Sequence, residues 1–170
     1  MIQRVAFVSL YQAQKLTGRA DTVVISVCDR HYRAKLQSGF ADVLDLYFDD
    51  YDPNRDGQRD HVDPFTAELA DIARQWVIRH HSNSAALSAL VHCYAGLSRS
   101  AALAWWINQE FNIPLTTSFT LAHLNGHVLH TLNPSITAPE AALVQIAGVE
   151  TNADLVRVFD EADWPWMQPP

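Results

Sequence analysis

The sequence predicts an α/β protein in which a largely parallel central sheet is flanked by helices. Three observations predict this fold class: two β-branched runs with two further strand candidates after them, helical patterns that separate the strands, and a C-terminal half in which helical patterns dominate. Strands that alternate with helices are typical of parallel sheets, because two parallel neighbours need a crossover connection. A chain of 170 residues has the length of one domain, so we expect a single domain over residues 1–170.

The strands are predicted at residues 4–10, 22–27, 43–48 and 86–92. The second is a short, mostly apolar run of the kind that lies buried in a parallel sheet. The fourth ends directly before Cys93. Between the third strand and the next helix, residues 49–60 are rich in Asp, Pro, Asn and Gly, which predicts a loop.

Helices are predicted between and after these strands. Asp63 and Pro64 resemble an N-cap followed by proline at the first helical position, and this helix should continue to about residue 79. Residues 100–111 are rich in Ala, Leu and Trp and lack Gly and Pro, which predicts a buried helix. Three more helices are predicted at 117–132, 139–147 and 152–162, and the tail at 164–170 is expected to pack loosely. The predicted apolar face of the first helix consists of Leu69, Ile72, Ala73, Trp76 and Val77.

Composition and charge exclude several functional classes. A net charge of -7 offers nucleic acid and anionic membranes no general attraction. No apolar run is long enough to span a membrane, and residues 1–10 lack the pattern of a signal peptide, so we expect a cytoplasmic protein without nucleic-acid partners. The two cysteines are too few for a disulfide scaffold or a four-thiolate zinc site. His123, His127 and His130 share one predicted helical face without an accompanying thiol or carboxylate, so we expect neither a metal nor a cofactor.

The most informative stretch is HCYAGLSRS, residues 92–100, between an apolar strand and a buried helix. A loop that enters a helix N-terminus presents backbone N–H groups and partial positive charge to an anion, which suits a phosphate dianion. A thiolate is stabilised at such a position, so Cys93 would be nucleophilic at neutral pH. Arg99 offers a planar fork of donors that can bind two phosphate oxygens. Ser100 follows it, and its hydroxyl can hydrogen-bond the sulfur.

The pattern His-Cys-x5-Arg-Ser resembles the signature of the protein-tyrosine and dual-specificity phosphatase superfamily, in a compact, bacterial-like form. Average residue usage makes a chance match around a given cysteine rare, on the order of one in a hundred thousand. The resemblance implies a two-step hydrolysis through a cysteinyl-phosphate, with Cys93, Arg99, Ser100 and an aspartate as catalytic residues. The residues expected to surround the substrate phosphate are His92, Tyr94, Ala95, Gly96, Leu97 and Ser98. Gly96 would supply the positive φ that the loop needs.

The resemblance also implies that the general acid comes from a loop upstream of the cysteine. The segment LDLYFDDYDP, residues 44–53, is similar to that loop. Strand register places the acid at Asp50, with Asp49 as the first alternate and Asp52 as the second. The interpretation that these three carboxylates only solvate a turn stays open.

The resemblance covers roughly residues 1–148, and it weakens towards the C-terminus. In NPSITAPEAAL, residues 133–143, Asn133 replaces an arginine and Glu140 an asparagine of dual-specificity members, so contacts made there are not transferable. The segments VCDRHYRAKL and FDDYDPN are also similar to phosphoinositide phosphatases of the phosphatase-and-tensin homologue type. Those relatives carry lysines inside the signature loop, whereas this loop has Tyr94, Ala95 and Leu97. We therefore rank a phosphoprotein or another phosphomonoester above a phosphoinositide, with a phospho-binding pseudophosphatase as a further alternative.

Cys28 is a candidate redox partner of Cys93. Both follow predicted strands directly, and adjacent parallel strands lie roughly 4.8 Å apart, within the roughly 4.4–6.8 Å between α-carbons that a disulfide needs. A reactive thiolate also captures peroxide readily, giving a sulfenic acid that a second thiol can resolve. The alternative is that Cys28 is a small buried hydrophobic residue at a strand end.

Overall fold

A sheet of five parallel strands forms the centre of the structure, a computed structural model that describes residues 1–117 and 121–139. The strand order is β3-β2-β4-β1-β5. The strands are β1 (Ile2–Ser9), β2 (Thr22–Cys28), β3 (Asp42–Tyr47), β4 (Leu87–Cys93) and β5 (Leu115–Thr117). The helices are α1 (Leu10–Lys15), α2 (Pro53–Asp56), α3 (Ala67–His81), α4 (Arg99–Phe111) and α5 (Gly126–Leu132). The predicted α/β fold class is confirmed.

The two inner strands β2 and β4 explain why the sequence shows continuous apolar runs. Every residue of both strands is buried, because each strand has a neighbour on either side and is covered on both faces. In a parallel sheet all carboxyl ends lie at one edge, and ligands of α/β proteins bind outside that edge. The loops that follow β1, β2, β3 and β4 therefore meet around the end of β4.

Apolar side chains fill both faces of the sheet. The larger core contains Trp106 and Leu103 of α4, side chains of α3 and α5, and Phe7, Ile25 and Val91 of the sheet. Four buried residues of α4 are serine or alanine, and their small side chains allow the helix to approach β1 and β4 closely. On the opposite face, Ala13 and Leu16 pack against Val8, Val24 and Leu90.

Helix α3 begins later than the sequence predicts. Its N-cap is Thr66, whose hydroxyl accepts a hydrogen bond from the backbone N–H of Leu69. Asp63 is not a cap, because its backbone exchanges hydrogen bonds with Asp49, donating from N–H to Asp49 Oδ2 and accepting at O from Asp49 N–H. Ile72, placed on the apolar face by periodicity, is 48% exposed, and Ala70 is buried instead.

The prediction of a helix at 117–132 is wrong for much of its length. Residues 115–117 form the edge strand β5 beside β1, and the described helix in this region begins only at Gly126, with Asn125 as N-cap. The short helices α1 and α2 were not predicted. The helices predicted at 139–147, apart from its first residue, and at 152–162, with the tail at 164–170, lie outside the described residues. No helix in the described parts of the chain combines the length and apolar character that crossing a membrane requires.

Candidate active site

Cys93 occupies the last position of β4, at the centre of the carboxyl edge of the sheet. Its side chain is almost completely buried, at 2% exposure. The Oγ of Ser100, in the first turn of α4, lies 3.1 Å from its Sγ. Residues 94–98 form the turn that joins β4 to α4, and we call them the phosphate loop. The cysteine therefore lies below a strand-to-helix loop, with one hydroxyl directed at its sulfur.

Arg99 opens α4 and turns its guanidinium towards the ends of β2 and β3. Its Nη1 donates to Asp29 Oδ1 and to the backbone oxygen of Phe48, each at 2.6 Å. The arginine is 4% exposed, and its buried Nε has no hydrogen-bond partner among the described residues. Because Nη1 is already bonded to Asp29 and Phe48 O, the edge formed by Nε and Nη2 is the one that can donate two parallel hydrogen bonds to an anion.

The three candidate acids have different surroundings. Asp49 Oδ2 accepts from the backbone N–H of Asp63. Asp52 is 7% exposed; its Oδ1 caps α2 at Asn54 N–H and its Oδ2 accepts from the backbone N–H of His127. Both carboxylates thus accept hydrogen bonds from backbone N–H groups.

Asp50 is the acid that contacts the phosphate loop. Its Oδ1 accepts from Ser98 Oγ at 2.7 Å and from Asn125 Nδ2 at 2.9 Å, and it lies 3.5 Å from Arg55 Nη2. The side chain is 38% exposed. Asp50 therefore lies beside the loop that carries Cys93 and Arg99, whereas Asp49 and Asp52 are bound elsewhere.

Asn125 was missed by the sequence analysis. It is completely buried, caps α5 through Oδ1, and donates from Nδ2 to both Asp50 Oδ1 and the backbone oxygen of Tyr51. Its backbone N–H donates to Ser98 O. An Asn before a run of apolar residues is an N-cap signal, and applied to Val128 and Leu129 that signal would have found the start of α5.

Gly96 lies where the phosphate loop crosses the end of β1. Its φ is +73°, and a Cβ there would come within 2.5 Å of Ser9 N and 2.7 Å of Val8 C. On the same side, Leu10 N–H donates to Tyr94 O. The loop is therefore held against the β1–α1 junction by backbone contact, which only glycine allows at this position.

His92 lies under the loop with neither ring nitrogen hydrogen-bonded to a described residue. Burial lowers its pKa to about 4, the positive charge of Arg99 acting in the same direction and Asp45 opposing it. The imidazole is consequently neutral at physiological pH. It is a packing group beneath the loop rather than a proton carrier in contact with solvent.

Cys28 and Cys93 are not joined by a disulfide in the structure. Strands β2 and β4 are parallel neighbours, but Ser26 pairs with His92, and Cys28 Sγ lies 4.0 Å from Ser26 Oγ. Alternation along a strand puts Cys28 on the face of Ser26 and His92, and Cys93 on the other. Both cysteines are free and buried, and burial raises the pKa of the Cys28 thiol. A disulfide between them stays a prediction.

A small cleft of about 90 Å³ opens beside the phosphate loop. Its lining includes Tyr32 and Tyr94, which are 45% and 72% exposed, and Asp29. Its remaining lining residues are Leu10, Val27 and Cys28. The cleft is thus mainly apolar and aromatic, and its Asp29 accepts a hydrogen bond from Arg99.

The three histidines considered for a metal do not form a cluster. His123 precedes α5, and His127 Nε2 lies 2.9 Å from the backbone oxygen of Phe65. Within residues 1–117 and 121–139, no three side chains of His, Cys, Asp or Glu come together as metal ligands would.

Comparisons with known proteins give only a weak likeness of fold. No protein-family model matches the chain, and no curated protein matches it. Among solved structures, one that it resembles is the crystal structure of a human tyrosine phosphatase-like serine/threonine/tyrosine-interacting protein. The identity is 18%, the match covers 68% of this chain and 76% of that chain, and the TM-score is 0.40.

Proposed function

We propose that this protein is a phosphomonoester hydrolase that acts through a cysteinyl-phosphate intermediate, on phosphotyrosine or another phosphoprotein. The observation that carries the proposal is the meeting of Cys93, Arg99 and Asp50 around one strand-to-helix loop. Two segments separated in sequence meet at the same sheet edge: the β4–α4 junction carries the proposed nucleophile and cation, and the loop after β3 carries the proposed acid. Each has the chemistry that phosphoryl transfer requires.

The buried arginine supports an anionic ligand. Arg99 is 4% exposed, and its Nε has no partner among the described residues, although a buried donor normally has one. Asp29 and Phe48 O hold the other side of the guanidinium and fix its direction. A phosphate above the loop would accept from Nε and Nη2 together, a geometry that lysine does not offer.

In the first step, Cys93 Sγ attacks phosphorus, an S–P bond forms, and the P–O bond of the ester breaks. Asp50, in its acid form, gives its proton to the departing oxygen. In the second step water attacks phosphorus, Asp50 takes its proton, and the S–P bond breaks with release of inorganic phosphate. Ser100 Oγ, 3.1 Å from the sulfur, stabilises the departing thiolate.

The cleft beside the loop supports an aromatic leaving group. Tyr32 and Tyr94 offer ring surfaces next to the phosphate position, and aromatic side chains prefer stacked or edge-to-face neighbours. The loop itself contributes no lysine to attract a second phosphate. Both features favour a phosphotyrosine side chain over a multiply phosphorylated inositol.

The test is phosphate release from phosphotyrosine and phosphoserine peptides, a phosphoinositide and a nucleotide. We expect release from the phosphotyrosine peptide, and its loss to background in Cys93→Ser. Arg99→Lys should fail as well, whereas Arg19→Lys, in an ion pair with Asp21 near the start of β2, is the matched control that should retain activity. Turnover by Cys93→Ser within about tenfold of wild type would contradict the nucleophile assignment.

The acid is tested by leaving-group dependence. Asp50→Asn should slow alkyl phosphates by about a hundredfold or more and activated aryl phosphates far less, because the latter leave without protonation. Asp71→Asn, at an exposed site on α3, serves as the control. A larger leaving-group effect in Asp49→Asn would move the acid to Asp49. Tight binding of the phosphotyrosine peptide by a wild-type protein without turnover would instead indicate a phospho-binding module.

A further inference from the structure

We propose that Ser98 and Asn125 are positioning residues that hold Asp50 by Oδ1, so that Oδ2 carries the proton exchanged during catalysis. This inference rests on the proposed function, because it assigns the hydrogen bonds around the acid of that reaction. Two hydrogen bonds and the Arg55 contact converge on Oδ1. The three partners come from the phosphate loop, the N-terminus of α5 and the short helix α2.

The Ser98 side chain does not cap α4, although the residue occupies the N-cap position. It occupies the N-cap position of α4, where a serine hydroxyl usually accepts from a backbone N–H in the first turn. No side-chain cap bond is present there; the hydroxyl donates to Asp50 Oδ1 at 2.7 Å instead. Ser98 therefore contacts Asp50 instead of capping α4, the helix that follows the phosphate loop.

Asn125 fixes the acid from the other side, and its amide orientation follows from its partners. Oδ1 faces the backbone N–H of Val128 at 3.0 Å, which only an oxygen can accept. The other end must then be the NH2 group, and it donates to Asp50 Oδ1 and to Tyr51 O. The asparagine is completely buried, so these bonds are shielded from water.

The donors decide which carboxyl oxygen can hold a proton. An amide N–H can only donate, so a proton on Asp50 Oδ1 would face a hydrogen of Asn125 without an acceptor between them. The proton therefore resides on Oδ2, and both transfers, to the leaving oxygen and from water, take place there. The backbone N–H of Asn125 also donates to Ser98 O, so the start of α5 is bonded to the phosphate loop as well as to Asp50.

The principal test is Asn125→Ser, which keeps a good N-cap for α5 but removes the amide donor. Loss of a hydrogen bond to a charged group corresponds to roughly 1.5–3 kcal/mol, so kcat for alkyl phosphates should fall by about tenfold or more. Activated aryl phosphates should lose about twofold at most. The basic limb of the kcat profile should move to higher pH, because one donor that favours the carboxylate is gone.

Controls separate positioning from general destabilisation. Asn133→Ser makes the same change at the other end of α5, where Nδ2 donates to exposed Glu110. It should change neither the ratio of kcat for alkyl and aryl phosphates nor the pH of the basic limb of the kcat profile. Ser98→Ala removes the second donor and should reproduce the Asn125→Ser pattern, which gives an independent test should Asn125→Ser fold poorly. Combined with Asp50→Asn, Asn125→Ser should cause no further loss, since it acts through that acid.

The positioning role is overturned if the losses caused by Asn125→Ser and Asp50→Asn add in the double variant. It is also overturned if Asn125→Ser slows both substrate types equally and leaves the basic limb of the kcat profile at the same pH. In that case wild-type turnover would leave the proposed function standing. A wild-type protein that releases phosphate from no substrate overturns the proposed function and this inference with it.

Discussion

Replacement of Gly96 by alanine tests whether the phosphate loop depends on close contact with the end of β1. The added Cβ would lie 2.5 Å from Ser9 N, 2.7 Å from Val8 C and 2.9 Å from Ser9 Cα, all backbone atoms that cannot rotate away. The residue also has a φ of +73°, which disfavours any L side chain. The loop must therefore lift from β1.

The cost has two parts. A left-handed backbone conformation costs an L residue roughly 1–2 kcal/mol. Overpacking against fixed neighbours adds about 1–3 kcal/mol, which gives about 2–5 kcal/mol in all. Single domains have a free energy of unfolding of about 5–15 kcal/mol, so the variant should fold with a clearly lower urea midpoint.

Gly18→Ala is the matched control, because its Cβ would lie 2.1 Å from Ser38 O, near the start of β2 and away from the site. Both variants should lose stability in urea unfolding. Only Gly96→Ala should also lower kcat/KM on an aryl phosphate, by about tenfold or more, since a shift of about an ångström misplaces catalytic groups. Equal kcat/KM values for the two variants would refute the argument that this contact shapes the loop.

Three further predictions follow from contacts outside the loop. Asp29→Ala should lower kcat/KM about five- to tenfold by freeing Arg99, with Asp29→Asn milder because it keeps an acceptor; no difference between them would contradict this. Burial lowers the pKa of His92 to about 4 from 6.5, so the unfolded chain binds the proton first as pH falls. The free energy of unfolding should therefore drop by about 2 kcal/mol between pH 6.5 and 5. His92→Gln should reduce this pH dependence in urea titrations. Thr66→Ala should cost about 1 kcal/mol by removing the cap of α3, measured by thermal unfolding; no loss would contradict the capping role of the Thr66 hydroxyl.

The strands could be predicted from sequence because their burial leaves a local signal. β2 and β4 are buried on both faces, so their sequences carry nearly continuous apolar residues, and both were placed within one residue at each end. Helix α4 was placed equally well, because Trp106, Leu103 and the alanines around them leave few polar positions. The edge strand β5 has three residues, too few for a period to be recognised, and it was mistaken for part of a helix.

Helix ends were less predictable, because caps depend on which backbone groups the tertiary structure leaves free. Asp63 with Pro64 has the composition of a helix start, yet Asp49 from a distant loop takes the hydrogen bonds of Asp63. Ile72 fits the apolar period of α3 but faces solvent, since the sheet covers only the stripe that includes Ala73 and Val77.

The parallel α/β architecture and the candidate loop at 92–100 could be recognised from the sequence, because both are encoded in contiguous residues. The arrangement of the other candidate site residues depends on the tertiary structure. It sets Asp50 against Ser98, gives Asp49 and Asp52 to backbone contacts, brings Asn125 to Asp50, and puts Cys28 on the opposite face of the sheet from Cys93. Each of these depends on strand register or on loops far apart in the chain, where one residue of offset reverses the direction of a side chain.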